Sequence, residues 1–273
     1  MTPTEPNPVS LAFPVEPLTE EVTAPAPPRG LTAGRALLIT LAFYVLQLLV
    51  GVVSGLAAIV YQVTAGNGVT QRGVEEATRV VAIPAALGGL LAGGAGVWWL
   101  ARRSLRAPVE TDPFRSIGWS ASSRGSLIGA AVFGACVALC YLFVLIPLGP
   151  STVGRTFGPL TLALHAGGWT RHLLALTAVL VAPMVEELVF RGVLFSGLSR
   201  SLGTVAAAVV VTLVFVVSHA FEARTYWPAW LAITLMASAA MFLRIRYGSL
   251  APSVAVHTSY NFGLVAVMYL RSG

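Results

Sequence analysis

Within a long apolar stretch the chain reads Glu186-Glu187-Leu188-Val189-Phe190-Arg191, and from Gly125 onward the only other acid is Glu222. A charge at bilayer depth costs at least about 2.5 kcal/mol on the most lenient insertion scale, so its retention marks function by default. Glu187 and Arg191 stand four apart, stacked on one helix face and able to pair, while Glu186 points about 100° away. That spacing divides the two acids by role: Glu187 is neutralised by Arg191, and Glu186 is free to face a cavity as a general base. Two more polar intrusions follow, His219 four residues after Phe215 and His257 four residues before Asn261, each pair on a single helix face. Three helices thus offer a carboxylate, a histidine, and a histidine with an amide. A buried water-activating site needs those types: a base, groups to hold the water, and donors for a developing oxyanion. His165 and His172, beside Trp169 and Arg171, read as interfacial, and Glu222 near Arg224 as a solvated rim charge.

The elements that must carry these residues are membrane helices. Of 273 residues, 56% are hydrophobic and 10% charged, with a mean hydropathy of +0.80. A soluble domain carries about a quarter charged residues, so an ordinary globular enzyme is excluded. All 17 basic residues are arginine and the formal charge is +6, yet the arginines fall between apolar runs rather than on one soluble face, which argues against nucleic-acid binding. Uninterrupted apolar stretches run over 36–62, 80–101 and 125–147, each reaching the roughly 20 residues that cross a bilayer. Four more helices are expected over 171–199, 203–221, 225–243 and 250–270, the first of them kinked by Pro183. The fold class is therefore all-α, a polytopic membrane protein of about seven transmembrane helices with a buried active-site cavity.

Three regions follow from this division: a disordered Pro-rich tail over 1–34, three N-terminal transmembrane helices with their loops over 35–170, and a core over 171–273. The tail holds eight prolines and four glutamates without an apolar period, too little to offset the entropy of ordering. Gly51 and Gly55, then Gly88, Ala92 and Gly96, recur at four-residue spacing and suit close helix packing. Cys136 and Cys140 read as small packing residues, and Tyr61, Trp98, Trp99 and Tyr269 as an interfacial aromatic belt. Arginine placement, ten on the side of the N-terminus against six on the other, puts the N-terminus in the cytoplasm.

The set Glu-Glu-x-x-x-Arg-Gly at 186–192, Phe-x-x-x-His at 215–219 and His-x-x-x-Asn at 257–261 resembles the three signature motifs of the CPBP family. These are the CAAX-protease and bacteriocin-processing intramembrane peptidases, also called the Abi family. Gly192-Val193-Leu194 and Ser249-Leu250-Ala251-Pro252 resemble the family's usual contexts, and the likeness covers about residues 171–270. The resemblance implies an intramembrane endopeptidase acting on a membrane-bound protein or peptide, in a cavity open toward the cytoplasm. It makes Glu186 the base that activates water, His219 a holder of that water, His257 and Asn261 the oxyanion donors, and Glu187, Arg191 and Phe215 the organisers of the site.

Two mechanisms stand open at this point. Zinc could be held by Glu186, Glu187, His219 and His257 as oxygen and nitrogen ligands, with room for an activated water. A metal-free route uses Glu186 alone as the base. The H-E-x-x-H helix of many zinc proteases is absent and Glu187 is committed to Arg191, so the glutamate route without a cofactor is favoured. A non-catalytic role in bacteriocin immunity or scaffolding is the rival class, while transport is disfavoured because no inverted repeat is visible. The arginine-only, alanine-rich composition points to a bacterial cell membrane; the oligomeric state is not readable.

Overall fold

The computed structural model describes residues 31–64, 83–105, 117–145, 168–220 and 227–272, with Arg115 and a few positions between 66 and 81. Residues 1–30 of the tail, His165 and Glu222 lie outside the described residues. Among the described residues the chain is all-α and forms seven helices without a strand. They are α1 (Ala33–Thr64), α2 (Ile83–Leu105), α3 (Arg124–Cys140, extended by a wide turn over Tyr141–Leu145), α4 (Gly168–Leu202), α5 (Thr204–Ser218), α6 (Trp227–Tyr247) and α7 (Leu250–Ser272).

Polarity runs opposite to that of a soluble protein. Large apolar side chains such as Leu38, Leu48, Val205 and Phe242 point outward, while Glu187, Arg191, Ser253 and His257 are buried. Hydrocarbon is the solvent that makes this arrangement favourable, because each helix satisfies its own backbone and can show lipid an apolar surface. Among the described residues, α1, α2, α3, α4 and α6 are long and apolar enough to cross a membrane. The chain is thus a multi-pass membrane protein. α5 is apolar but only 15 residues long, and it stops short of the expected 203–221.

Local chemistry explains the helix ends. Ser123 caps α3 by accepting from the Ser126 N–H at 3.1 Å. Gly203, at a φ of +78°, turns the chain from α4 into α5 in a backbone region that favours glycine. The first N–H of α7, on Leu250, donates to the Gly118 carbonyl at 2.7 Å, and Ser249 Oγ donates to the Ser120 carbonyl at 2.8 Å. This short segment between α2 and α3 thereby supplies the partners that a helix start lacks. Leu31, which falls inside the region read as a tail, is 2% exposed and joins the core.

The close helix approaches differ from those expected. A Cβ added at Gly51, Gly55, Gly88 or Gly96 would meet nothing within 4 Å, so these glycines face outward. The contacts are made one stripe away. Gly89 and Gly93 of α2 lie against Val50, Gln47 and Phe43 of α1, Gly197 of α4 against Ala36, and Gly134 of α3 against the Val256 carbonyl of α7. Gln47 Nε2 seals the first pair by donating to the Gly89 carbonyl at 3.0 Å. Cys136 and Cys140 are free and exposed, on the outer side of α3, and pack no helix. The sequence is apolar all round these helices, so spacing alone does not say which small-residue stripe turns inward.

The contact at Gly134 brings α3 against the residue preceding His257, with no side chain that could yield. Gly134→Ala is expected to lower the thermal unfolding temperature in detergent, at a cost of about 1–3 kcal/mol for overpacking. Gly51→Ala should leave it unchanged or raise it slightly, since alanine is the better helix former by roughly 1 kcal/mol. Equal behaviour of the two variants would refute this assignment of the packing faces.

Candidate active site

α4 carries the two acids, and it is not a regular helix. Around Thr177–Val181 and again around Leu188–Leu194 its turns widen, so that the Ala182 N–H reaches the Thr177 carbonyl and the Phe195 N–H the Phe190 carbonyl, five residues back in each case. Wide turns of this kind are uncommon and concentrate where function requires a local change of face. Pro183 follows the first of them, and the helix runs on through it rather than breaking. Glu186 and Glu187 occupy the short regular stretch Ala182–Glu187 between the two wide turns.

Glu187 is completely buried, as is Arg191. Arg191 Nη1 donates to Glu187 Oε1 at 3.1 Å and Nη2 to the Ala237 carbonyl of α6 at 2.9 Å, while the guanidinium stacks 4.3 Å above the Phe215 ring. Arg244, near the end of α6, returns the tie by donating from Nε to the Arg191 carbonyl at 3.2 Å. The same Glu187 oxygen accepts from His257 Nδ1 at 2.9 Å. One carboxylate therefore holds two cationic or donor groups from two helices.

Those bonds put a proton on Nδ1 of His257. A carboxylate paired with arginine can only accept, so the proton sits on Nδ1 and Nε2 is left facing Glu186 Oε2 at 3.7 Å. His219 is fixed in the same sense by a different device. It lies just past the end of α5, not within the helix as expected, with its N–H turned back to the Val216 and Val217 carbonyls. The Phe215 carbonyl is left over, and it accepts from His219 Nδ1 at 2.9 Å and from Ser218 Oγ at 2.7 Å. Its Nε2 consequently faces Glu186 Oε2 at 3.9 Å. Helix ends at bilayer depth must find such partners, because no bulk water is there to solvate them.

Glu186 Oε2 is itself buried and has no hydrogen-bond partner among the protein groups. Two ring nitrogens flank it at distances too long for direct hydrogen bonds and suited to one bridging water. Phe215, fully buried, fills the wedge between the histidines, with ring centres 4.6 Å from His219 and 5.8 Å from His257. The structure thus brings together Glu186, Glu187, Arg191, Phe215, His219 and His257. Asn261 stands one turn along α7 from His257, and its Nδ2 donates to the Ala178 carbonyl of α4 at 2.7 Å.

The four-ligand zinc set does not assemble. Glu187 lies on the Nδ1 side of His257 and Glu186 on the Nε2 side, so a single ion could not take both. Among the described residues no group of three or more His, Cys, Asp or Glu side chains is arranged to hold a metal ion. Sequence reasoning passed over three participants. Tyr44 of α1 packs edge-on to Phe190 and its hydroxyl reaches Ser218, so a residue far upstream borders the site. Tyr44 and Gln47 are polar intrusions in α1 that could have drawn notice, whereas Ser218 and Arg244 carry no such signal. His172 sits in the first turns of α4, where its Nδ1 is 3.2 Å from the Tyr269 hydroxyl and well away from Glu186 in sequence.

Removing one member of a buried pair costs about 3–5 kcal/mol, because the other charge stays buried alone. Arg191→Met should accordingly lower thermal stability by that order, and Glu187→Gln combined with Arg191→Met should recover much of the loss. Unfolding temperatures of the two variants that fall together, without recovery in the pair, would show that the ion pair is not what fails.

Comparison with known proteins falls on this same segment. Residues 168–263 match the family model described as Type II CAAX prenyl endopeptidase Rce1-like. No curated protein and no solved structure matches the chain. The matched residues hold all seven side chains singled out by their spacing, and over this segment the chain is similar to type II CAAX prenyl endopeptidases.

Proposed function

We propose that the protein is an intramembrane endopeptidase that hydrolyses a peptide bond of a membrane-associated protein or peptide with water activated by Glu186. The observation that carries this reading is the buried, unpartnered Glu186 Oε2 between two histidine nitrogens whose far sides are already committed. A water bridging Glu186 and the Nε2 of His219 donates one proton toward each acceptor, which turns a lone pair toward the scissile carbonyl. Glu186 takes a proton as the oxygen attacks, and returns it to the leaving amine when the tetrahedral intermediate collapses.

The charge that develops on the carbonyl oxygen needs donors. His257 is the first of them: with its Nδ1–H held by the Glu187 carboxylate, the doubly protonated ring turns its Nε2–H to the oxyanion. Asn261 supplies the second, through the amide N–H that Ala178 does not take. Glu187 and Arg191 act by holding His257, and Phe215 by spacing the rings. This route requires no metal and no cofactor, and its partners are the substrate chain and the lipid bilayer. The arginine-only, alanine-rich composition suits a bacterial cell membrane, and the arginine count puts the N-terminus in the cytoplasm.

Glu186→Gln, nearly isosteric, is expected to lower kcat/KM by at least about 10²-fold while the protein stays folded and membrane-inserted. Strong chelators should leave the wild type active. Chelator inactivation reversed by zinc would overturn the glutamate route, and full activity of the glutamine variant in cells would point to binding without cleavage. Membrane proteomes with wild type and Glu186→Ala identify the substrate as the peptides that accumulate uncut only in the variant.

A further inference from the structure

Asn261 spends one of its N–H groups on a carbonyl that a proline has vacated. In the wide turn before Pro183 the ladder runs five residues back, with the Ala182 N–H on the Thr177 carbonyl. The next rung of that ladder would join residue 183 to Ala178, but proline has no N–H to give. Such a carbonyl, left in a membrane interior, costs free energy until a donor reaches it. The donor is Asn261 Nδ2, at 2.7 Å from the Ala178 oxygen and on another helix.

We propose that Pro183 and Asn261 form one positioning device, in which the vacated Ala178 carbonyl pins α7 to α4 and so sets the distance between His257 and Glu186. His257 and Asn261 share a face of α7 one turn apart. α4 and α7 are therefore joined at two points, His257 Nδ1 to Glu187 at 2.9 Å and Asn261 to Ala178 at 2.7 Å. α7 already lies against α3 at Gly134 and Val256, and the two pins together fix its register along α4. The gap of 3.7 Å between His257 Nε2 and Glu186 Oε2 is the quantity so fixed. Pro183 is then required for what it withholds, since any other residue would close the ladder and release the amide.

The inference about catalysis rests on the glutamate-protease reading, but the pin itself is measurable without turnover. In wild type, Asn261→Leu orphans the carbonyl and should lower the unfolding temperature by about 5 °C. In a Pro183→Ala background the same substitution should cost nothing, because the restored backbone N–H at that position satisfies Ala178 from within the helix. Equal losses in both backgrounds would overturn the pairing. Spin labels at Leu176 and Phe262, both exposed, read the register of α4 against α7 once Cys136 and Cys140 are replaced by serine. Pro183→Ala should shift that distance; an unchanged distribution also defeats the proposal. Where the wild type cleaves, Pro183→Ala should lower kcat about tenfold with KM little altered, since a small displacement of the base from its partner is felt in the chemical step. An unchanged kcat would reduce the pin to a structural bond. Absence of cleavage by the wild type would instead refute the protease reading and leave the unfolding and distance tests of the pin intact.

Discussion

Everything at the centre of this bundle depends on one carboxylate. Glu187 accepts from Arg191 on its own helix and from His257 on α7, while the other end of Arg191 reaches the α6 backbone and its face covers Phe215 of α5. Four helices therefore meet around a single negative charge that has no contact with solvent. In water such an assembly would compete with hydration and gain little. In a dry interior each bond is stronger, and an unpaired member is correspondingly costly, so the bonds to this carboxylate stand or fall together, while Glu187 Oε2 and Arg191 Nε are buried without a hydrogen-bond partner among the described residues. The neighbouring Glu186, one residue earlier, is spared these ties and keeps an oxygen open.

The backbone makes comparable concessions. α4 widens on both sides of the acids, Pro183 withdraws a donor, and α5 stops at the level of the site. Each departure leaves a carbonyl that a regular helix would have consumed. Phe215 gives its carbonyl to His219 and Ser218, Ala178 to Asn261, and Arg191 to Arg244. Irregular backbone is tolerated in a membrane when protein groups resatisfy it, and here those groups are side chains in or beside the candidate site.

The polar residues of the site were legible in the sequence because a membrane makes them conspicuous. Glu186, Glu187, Arg191, His219 and His257 interrupt apolar runs, and the four-residue step between Glu187 and Arg191 gives their pairing directly. The seven helices of the described residues were legible for the same reason, although five of them, not seven, are long and apolar enough to cross. What lay hidden depends on facing. An all-apolar helix has no polar side to locate its interior, so the packing stripe at Gly89 and Gly93 could not be told from the outward one at Gly88 and Gly96. His219 was expected within α5, where a helix long enough to span would have placed it; the observed stop depends on tertiary partners for its last carbonyls. Tyr44 and Ser218 meet only because α1 and the end of α5 border the same space, which no local pattern encodes.

The early end of α5 also sets where His219 stands along the bundle. With 15 residues between Gly203 and the turn that carries His219, the helix lifts that imidazole about 22 Å from the α4–α5 corner. One residue more or fewer would move it by about 1.5 Å and swing it about 100° around the axis, out of range of Glu186. The helix thus acts as a ruler whose graduations are residues. Exchanging its outward valines and leucines for other apolar types leaves that length unchanged, whereas an insertion or deletion alters it.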